Sequence, residues 1–137
     1  MNFSLYNRWY SLRRRFSDAL VVYWHYRPNH WYLWLSLSLQ ILLWFFAYRL
    51  FVVIGSDLFV AHYNVDFGID SVGSSRRAFN IPLLALAVLI INFFILTFFS
   101  RREHFHFLAH AFGLASLLSQ LLAASALTSV YLINFLA

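Results

Sequence analysis

Three apolar stretches, residues 31–54, 81–99 and 105–137, leave this chain few folds to choose from. The first runs from Trp31 to Ile54 with Arg49 as its only charge. At about 1.5 Å per helical residue it covers about 36 Å, against a bilayer hydrocarbon core of about 30 Å. The second, Ile81 to Phe99, is just long enough to cross, with Pro82 in the first turn, where a missing N–H does no harm. The third, Phe105 to Ala137, exceeds one crossing, so it is expected to begin in the interface, tilt or project beyond the far side. No Pro is present to split it into two shorter helices. A soluble fold of 137 residues could not hide a chain that is 62% hydrophobic and 11% charged, with a mean hydropathy of +0.68. The expected fold class is therefore all-α: an integral membrane protein forming one domain over 1–137, with transmembrane helices at 31–54, 81–99 and about 105–131.

Residues 1–27 carry Arg8, Arg13, Arg14, Arg15 and Arg27 ahead of the first span. Leu5, Trp9, Leu12, Phe16, Leu20 and Tyr23 or Trp24 recur every three or four residues, which places them on one helical face. Arg8, Arg15 and Asp18 fall largely opposite, with Arg13 and Arg14 at the flank. The pattern predicts an amphipathic helix in the membrane interface, its arginines on anionic lipid head groups. Packing against the spans or a partner is the alternative. Arg27-Pro28-Asn29 should end this helix. The basic leader invites a signal-peptide reading, but its length and the embedded Arg49 fit a retained helix, so no cleavage is expected. All ten basic residues are Arg and the net charge is +5. They cluster beside apolar segments, so lipid, not nucleic acid, is the expected partner.

Gly55 to Asn80 is the longest polar connection. Within it Val65, Phe67 and Ile69 alternate with polar residues, the period of a strand, but a lone strand has nothing to pair with. An ordered loop, or a short helix followed by a turn, is expected for 55–80. Ser100 to His104 forms a tight basic turn that makes the second and third spans antiparallel. Counting Arg101 and Arg102 with the five leader arginines puts seven on one side, against Arg76 and Arg77 on the other. The positive-inside bias then places the N-terminus and residues 100–104 in the cytoplasm, and the 55–80 loop and the C-terminus outside, in a membrane expected to be the bacterial cytoplasmic one.

Polar residues inside spans are the natural functional suspects, because a side chain that costs energy in lipid usually faces protein or water. Gln40 and Asn92 lie nine and eight residues in from the same face, so they are expected at similar depth and within reach of each other. Ser116 and Gln120 follow on the third span. Small residues line that span: Ala109 and Gly113; Ala115, Ser119 and Ala123; Ser116, Gln120, Ala124 and Thr128. The second span adds Ala78, Ala85 and Asn92 at intervals of seven. Such faces let helices approach closely. Two of them on one helix exceed what a hairpin needs, so a homo-oligomer or a complex with other membrane subunits is expected.

Chemistry is sparse. Cysteine is absent, which excludes disulfides, thiolate metal sites and a cysteine nucleophile. His104, His106 and His110 open the third span, and His106 and His110, one turn apart, are candidate ligands for a metal or haem, with His25 and His30 on the same side. Two histidines make at most half a site, so no cofactor is expected. Asp57, His62, Asp66 and Asp70 are candidate cation ligands in the outer loop, though their spacing matches no established calcium loop. Arg49 can snorkel to the outer interface or pair with Asp57 or Asp70. The reading is a structural or accessory membrane subunit, not an enzyme. Its alternatives are a small oligomeric channel or transporter lined by Gln40, Asn92, Ser116 and Gln120, and a haem- or metal-binding protein using His106 and His110.

Overall fold

The computed structural model describes residues 3–55, 59–64 and 68–135, and the side chains of 7–55 and 73–135. Four helices make up most of it: α1 (Phe3–His25), α2 (Arg27–Ile54), α3 (Asn80–Phe99) and α4 (Phe105–Phe135). Helix α2, helix α4, and α3 together with the 3₁₀ turn Ser75–Phe79 that leads into it, are each long and apolar enough to cross a membrane. The three-span helical class predicted from the sequence therefore stands. The third apolar stretch is one unbroken helix of 31 residues.

Pro28 sets the first corner. A helix continued through it would drive the proline ring into the carbonyl of Trp24, four residues back. Tyr26 instead turns extended, with φ −87° and ψ 101°, and α2 starts with Pro28 in its first turn. The break leaves carbonyls without helical partners, and two side chains collect them. Asn29 Nδ2 donates to the Tyr23 carbonyl at 3.0 Å, and His30 Nε2 donates to that of Trp24 at 2.7 Å. Beyond the corner, Phe16 and Tyr23, about two turns and about 10 Å apart on α1, meet the adjacent Phe94 and Phe93 of α3, with ring centroids 6.3 and 5.2 Å apart. Between them Ser100 Oγ donates to the Ala19 carbonyl at 3.1 Å. Phe16, Ala19 and Tyr23 thus meet Phe94, Ser100 and Phe93 in turn, an order that does not advance along α3 in step with α1, so α1 lies across the end of α3. Burial of Ala19 and Tyr23 there pushes the Tyr23 phenol up to about 12.

Helices α2, α3 and α4 form the bundle, with α4 packed against both others. The buried positions step by threes and fours: Ser36, Gln40, Leu43, Ala47, Leu50 and Ile54 on α2; Pro82, Ala85, Leu89, Asn92 and Leu96 on α3; Gly113, Ser116, Gln120, Ala123, Leu127 and Val130 on α4. That is the seam of left-handed helix packing. The heptad Ala78, Ala85, Asn92 read from the sequence is buried throughout. On α4 the buried seam draws on both small-residue faces read from the sequence, Ser116 and Gln120 from one and Ala123 from the other, whereas Ala115 and Thr128, at their far ends, are exposed.

The 55–80 connection departs from expectation. Strand β1 (Phe59–Asn64) pairs antiparallel with β2 (Gly68–Gly73), Phe59 opposite Gly73 and Asn64 opposite Gly68, with an irregular register around His62. The alternation at 64–70 announces only one strand and offers it no partner. The partner is the segment just before it, whose run FVAHYN carries no strict alternation. Gly55, at φ +61°, closes α2 in a conformation that favours glycine, and its carbonyl accepts a bond from Ser75 Oγ at 2.8 Å, tying the loop shut. We call this the hairpin end of the bundle, and the opposite end, with α1 and the Ser100–His104 turn, the basic end.

Candidate functional site

The polar residues of the spans gather in the middle of the bundle. Asn92 Nδ2 donates to Ser116 Oγ at 3.0 Å and lies 3.4 Å from the Phe112 carbonyl, to which Ser116 also donates, at 2.9 Å. Gln40 does not meet Asn92. Its Nε2 donates instead to the Pro82 carbonyl at 2.7 Å, almost three turns away along α3. A depth count from the first apolar residue starts α2 at Trp31, but the helix begins at Arg27. Gln40 is thus about 20 Å from the basic end of α2, and Asn92 about 10 Å from that of α3. Gln120 is 1% exposed, and neither of its amide atoms has a hydrogen-bond partner among the described residues. Ser36 Oγ and Gln40 Oε1 are buried in the same state.

A cavity of about 20 Å³ opens beside this layer, lined among others by Asn29, Tyr32, Ser36, Asn92, Gly113 and Ser116. Room for one water needs about 10–15 Å³. The space therefore suits a single water and no larger solute.

Towards the basic end, tyrosines grip His110. Tyr32 Oη lies 2.9 Å from Nδ1 and Tyr26 Oη 3.0 Å from Nε2. A neutral imidazole donates at one nitrogen and accepts at the other, so one tyrosine accepts and the other donates. Gly113 makes this possible. A Cβ there would stand 2.5 Å from the Tyr32 ring, so only glycine lets that ring lie flat on α4, one turn from His110. His106 packs edge-on against Tyr26, ring centroids 4.6 Å apart. Neither tyrosine is a candidate on sequence grounds; they lie 84 and 78 residues from His110, and no local pattern marks them.

As a candidate metal pair, His106 and His110 share a face of α4, but a metal on His110 would have to displace a tyrosine. His25, Glu103 and His106 line one open pocket of about 390 Å³, and His25 Nδ1 is 3.2 Å from the Val21 carbonyl. Among the described residues no three of His, Asp or Glu come together as a ligand set. His104 is exposed on the turn. Of the outer-loop candidates, Asp57 and Asp66 lie outside the described residues, and His62 and Asp70 fall on β1 and β2 with their side chains outside them. The pairing of Arg49 with Asp57 or Asp70 falls there too.

Arginines from separate elements converge at the basic end. Arg101 pairs with Asp18 at 2.9 Å across α1 and the α3–α4 turn, a half-exposed contact worth well under about 1 kcal/mol. Arg15, Arg101 and Arg102 border a groove of about 500 Å³ over Leu12, Phe16, Ala19 and Phe98. Arg8, Arg13 and Arg14 are exposed further along α1. No family model matches the sequence, and neither the curated proteins nor the solved structures hold a significant match to it.

Proposed function

We propose that the chain is a structural or accessory membrane subunit that works by packing, with itself or with other membrane proteins, and by contact with lipid. One observation carries this reading: Gln40, Asn92, Ser116 and Gln120 are buried inside the chain's own three-helix bundle, and the cavity that Asn92 and Ser116 help to line, which Gln40 and Gln120 do not reach, holds only about 20 Å³. A channel lined by these residues would need them on a surface shared between subunits, or a wide bore within one. The outward faces of the spans carry Ile41, Phe45, Leu84, Ile91, Leu118 and Leu122, side chains suited to lipid tails or to an apolar partner helix. Helix α1, laid across the end of α3 with Trp9, Leu12, Val21 and Trp24 exposed beside its arginines, fits the interface of the leaflet on that side. The arginine bias puts that side in the cytoplasm.

Purification in mild detergent, with native mass, absorption and metal content read on one sample, tests the reading. The expected result is a colourless particle of defined mass carrying more than one chain. Asn92→Leu should weaken packing by on the order of 1 kcal/mol and leave the ion permeability of reconstituted vesicles unchanged. Conductance that this variant abolishes would replace the accessory reading with the channel. A bound metal or haem lost from a His106→Ala/His110→Ala variant would replace it with the redox protein.

A further inference from the structure

The groove at the basic end has the make-up of a lipid site. Its rim is cationic: Arg15 comes from α1, and Arg101 and Arg102 from the α3–α4 turn, far along the chain. Asp18 offsets one of these charges through Arg101, which leaves Arg15 and Arg102 uncompensated among the described ion pairs. Its floor is apolar. Leu12, Phe16 and Ala19 come from α1, and Phe98, 79% exposed, from the last turn of a membrane-spanning helix. A second depression of about 290 Å³, lined by Trp9, Leu12, Arg13 and Phe16, continues it along α1 and shares Leu12 and Phe16. A water-soluble phosphate would use the rim and gain nothing from this floor. An acyl chain would use the floor and gain nothing from the rim. The volume of about 500 Å³ lies within the roughly 300–1,000 Å³ of small-molecule sites.

We infer that this groove holds one anionic phospholipid, its phosphate between Arg15 and Arg102 and its acyl chains along Leu12, Phe16 and Phe98. The inference rests on the reading that the basic end lies at a membrane surface. Basic pockets beside transmembrane helices recognise anionic head groups because the phosphate is met where neighbouring lipid reduces screening by water. The site also gives α1 a reason to cross α3: the crossing brings Arg15 to Arg102 across the mouth of the groove.

Native mass spectrometry of the full chain in detergent, titrated with phosphatidylglycerol or with phosphatidylcholine of the same acyl composition, reads this directly. One phosphatidylglycerol per chain should be retained in preference to phosphatidylcholine. Arg15→Gln with Arg102→Gln should cut that preference roughly twenty-five-fold, on the order of fivefold per guanidinium removed. Arg8→Gln with Arg14→Gln removes the same charge outside the groove and should leave it nearly intact. Phe98→Ala, which keeps every charge, should weaken both lipids. All these side chains are exposed, and circular dichroism of each variant checks that the helices persist. Equal retention of the two lipids, equal losses from the two arginine pairs, or full displacement by excess inorganic phosphate would each overturn the lipid site. Its failure is separable from that of the accessory role: a chain that keeps its lipid but purifies with no second chain sinks only the latter, and a stable complex without lipid preference sinks only the site.

Discussion

The two halves of the bundle solve the same packing problem with different materials. At the hairpin end Leu43, Ala47, Leu50 and Ile54 of α2 meet Ala85 of α3 and Ala123, Leu127 and Val130 of α4, with Ala78 closing the cluster. Small residues alternate with Leu there, so the helices come close and gain dispersion energy. Between that cluster and the basic end lie Asn29, Ser36, Gln40, Asn92, Ser116 and Gln120, only some of whose polar atoms have partners. Lipid tails are as apolar as leucine, so the hydrophobic effect does not hold helices together inside a bilayer. Tight apolar contact therefore supplies adhesion at the hairpin end, and again in a smaller cluster of Tyr23, Leu96, Phe105 and Ala109 at the basic end, while the hydrogen-bonded polar layer between them fixes which rotation of each helix faces inward. Adhesion and register are divided along the bundle's length.

That division can be broken most severely at Leu127, which is fully buried in the apolar half. Leu127→Ala should cost about 2–3 kcal/mol, mainly for the cavity left behind, measured by denaturant titration in mixed micelles. A cost below that of Asn92→Leu would mean that the polar layer, not the apolar end, carries the adhesion. Gly113→Ala tests the boundary between the halves. The new methyl meets the Tyr32 ring at 2.5 Å, so the variant should lose about 2 kcal/mol and release Tyr32 from His110, seen as a change in the tyrosine absorption band.

At the basic end the comparison turns on pH. Tyr23 ionises near 12 in the folded chain against an ordinary value of 10. A group whose pKa is raised on folding favours the folded state fully below its unfolded value, and that contribution is lost as pH climbs through the folded one. Docking of α1 should therefore weaken by on the order of 1 kcal/mol between about pH 10 and 12, and Tyr23→Phe should remove that part of the decline. Thermal unfolding followed across this range would read it. The smallest effect is expected at Gln120. Its amide is buried without partners among the described residues, so Gln120→Leu should be neutral or slightly stabilising, by less than about 1 kcal/mol. A clear loss of stability or of an associated activity would mark Gln120 as bound to something beyond this chain.

Much of this is legible in the residues. Roughly twenty consecutive apolar side chains leave little choice but a spanning helix, and Pro28 forbids α1 and α2 from running straight through. The inward turn of Asn92, Ser116 and Gln120 follows from the cost of polar groups in lipid. Other features escape for physical reasons. The hairpin depends on pairing two short segments, the first of which, FVAHYN, lacks the alternation that announces a strand. Gln40 and Asn92 look level only when depth is counted from where apolar composition starts, whereas α2 begins four residues earlier, inside the polar corner. Tyr26 and Tyr32 carry no signal at all until folding brings α4 beside them. The groove under Arg15 and Arg102 likewise exists only because α1 crosses α3.

Helix α3 has one further consequence. Its 20 residues, Asn80–Phe99, extend about 30 Å, and arginine pairs stand just outside both ends, Arg76-Arg77 before it and Arg101-Arg102 after it. Helix α4, at 31 residues, has length to spare and can lean. The shorter helix cannot stretch, so it acts as a ruler. A bilayer thicker than about 30 Å must thin around this protein or drag guanidinium groups towards its tails, at fractions of a kcal/mol per ångström.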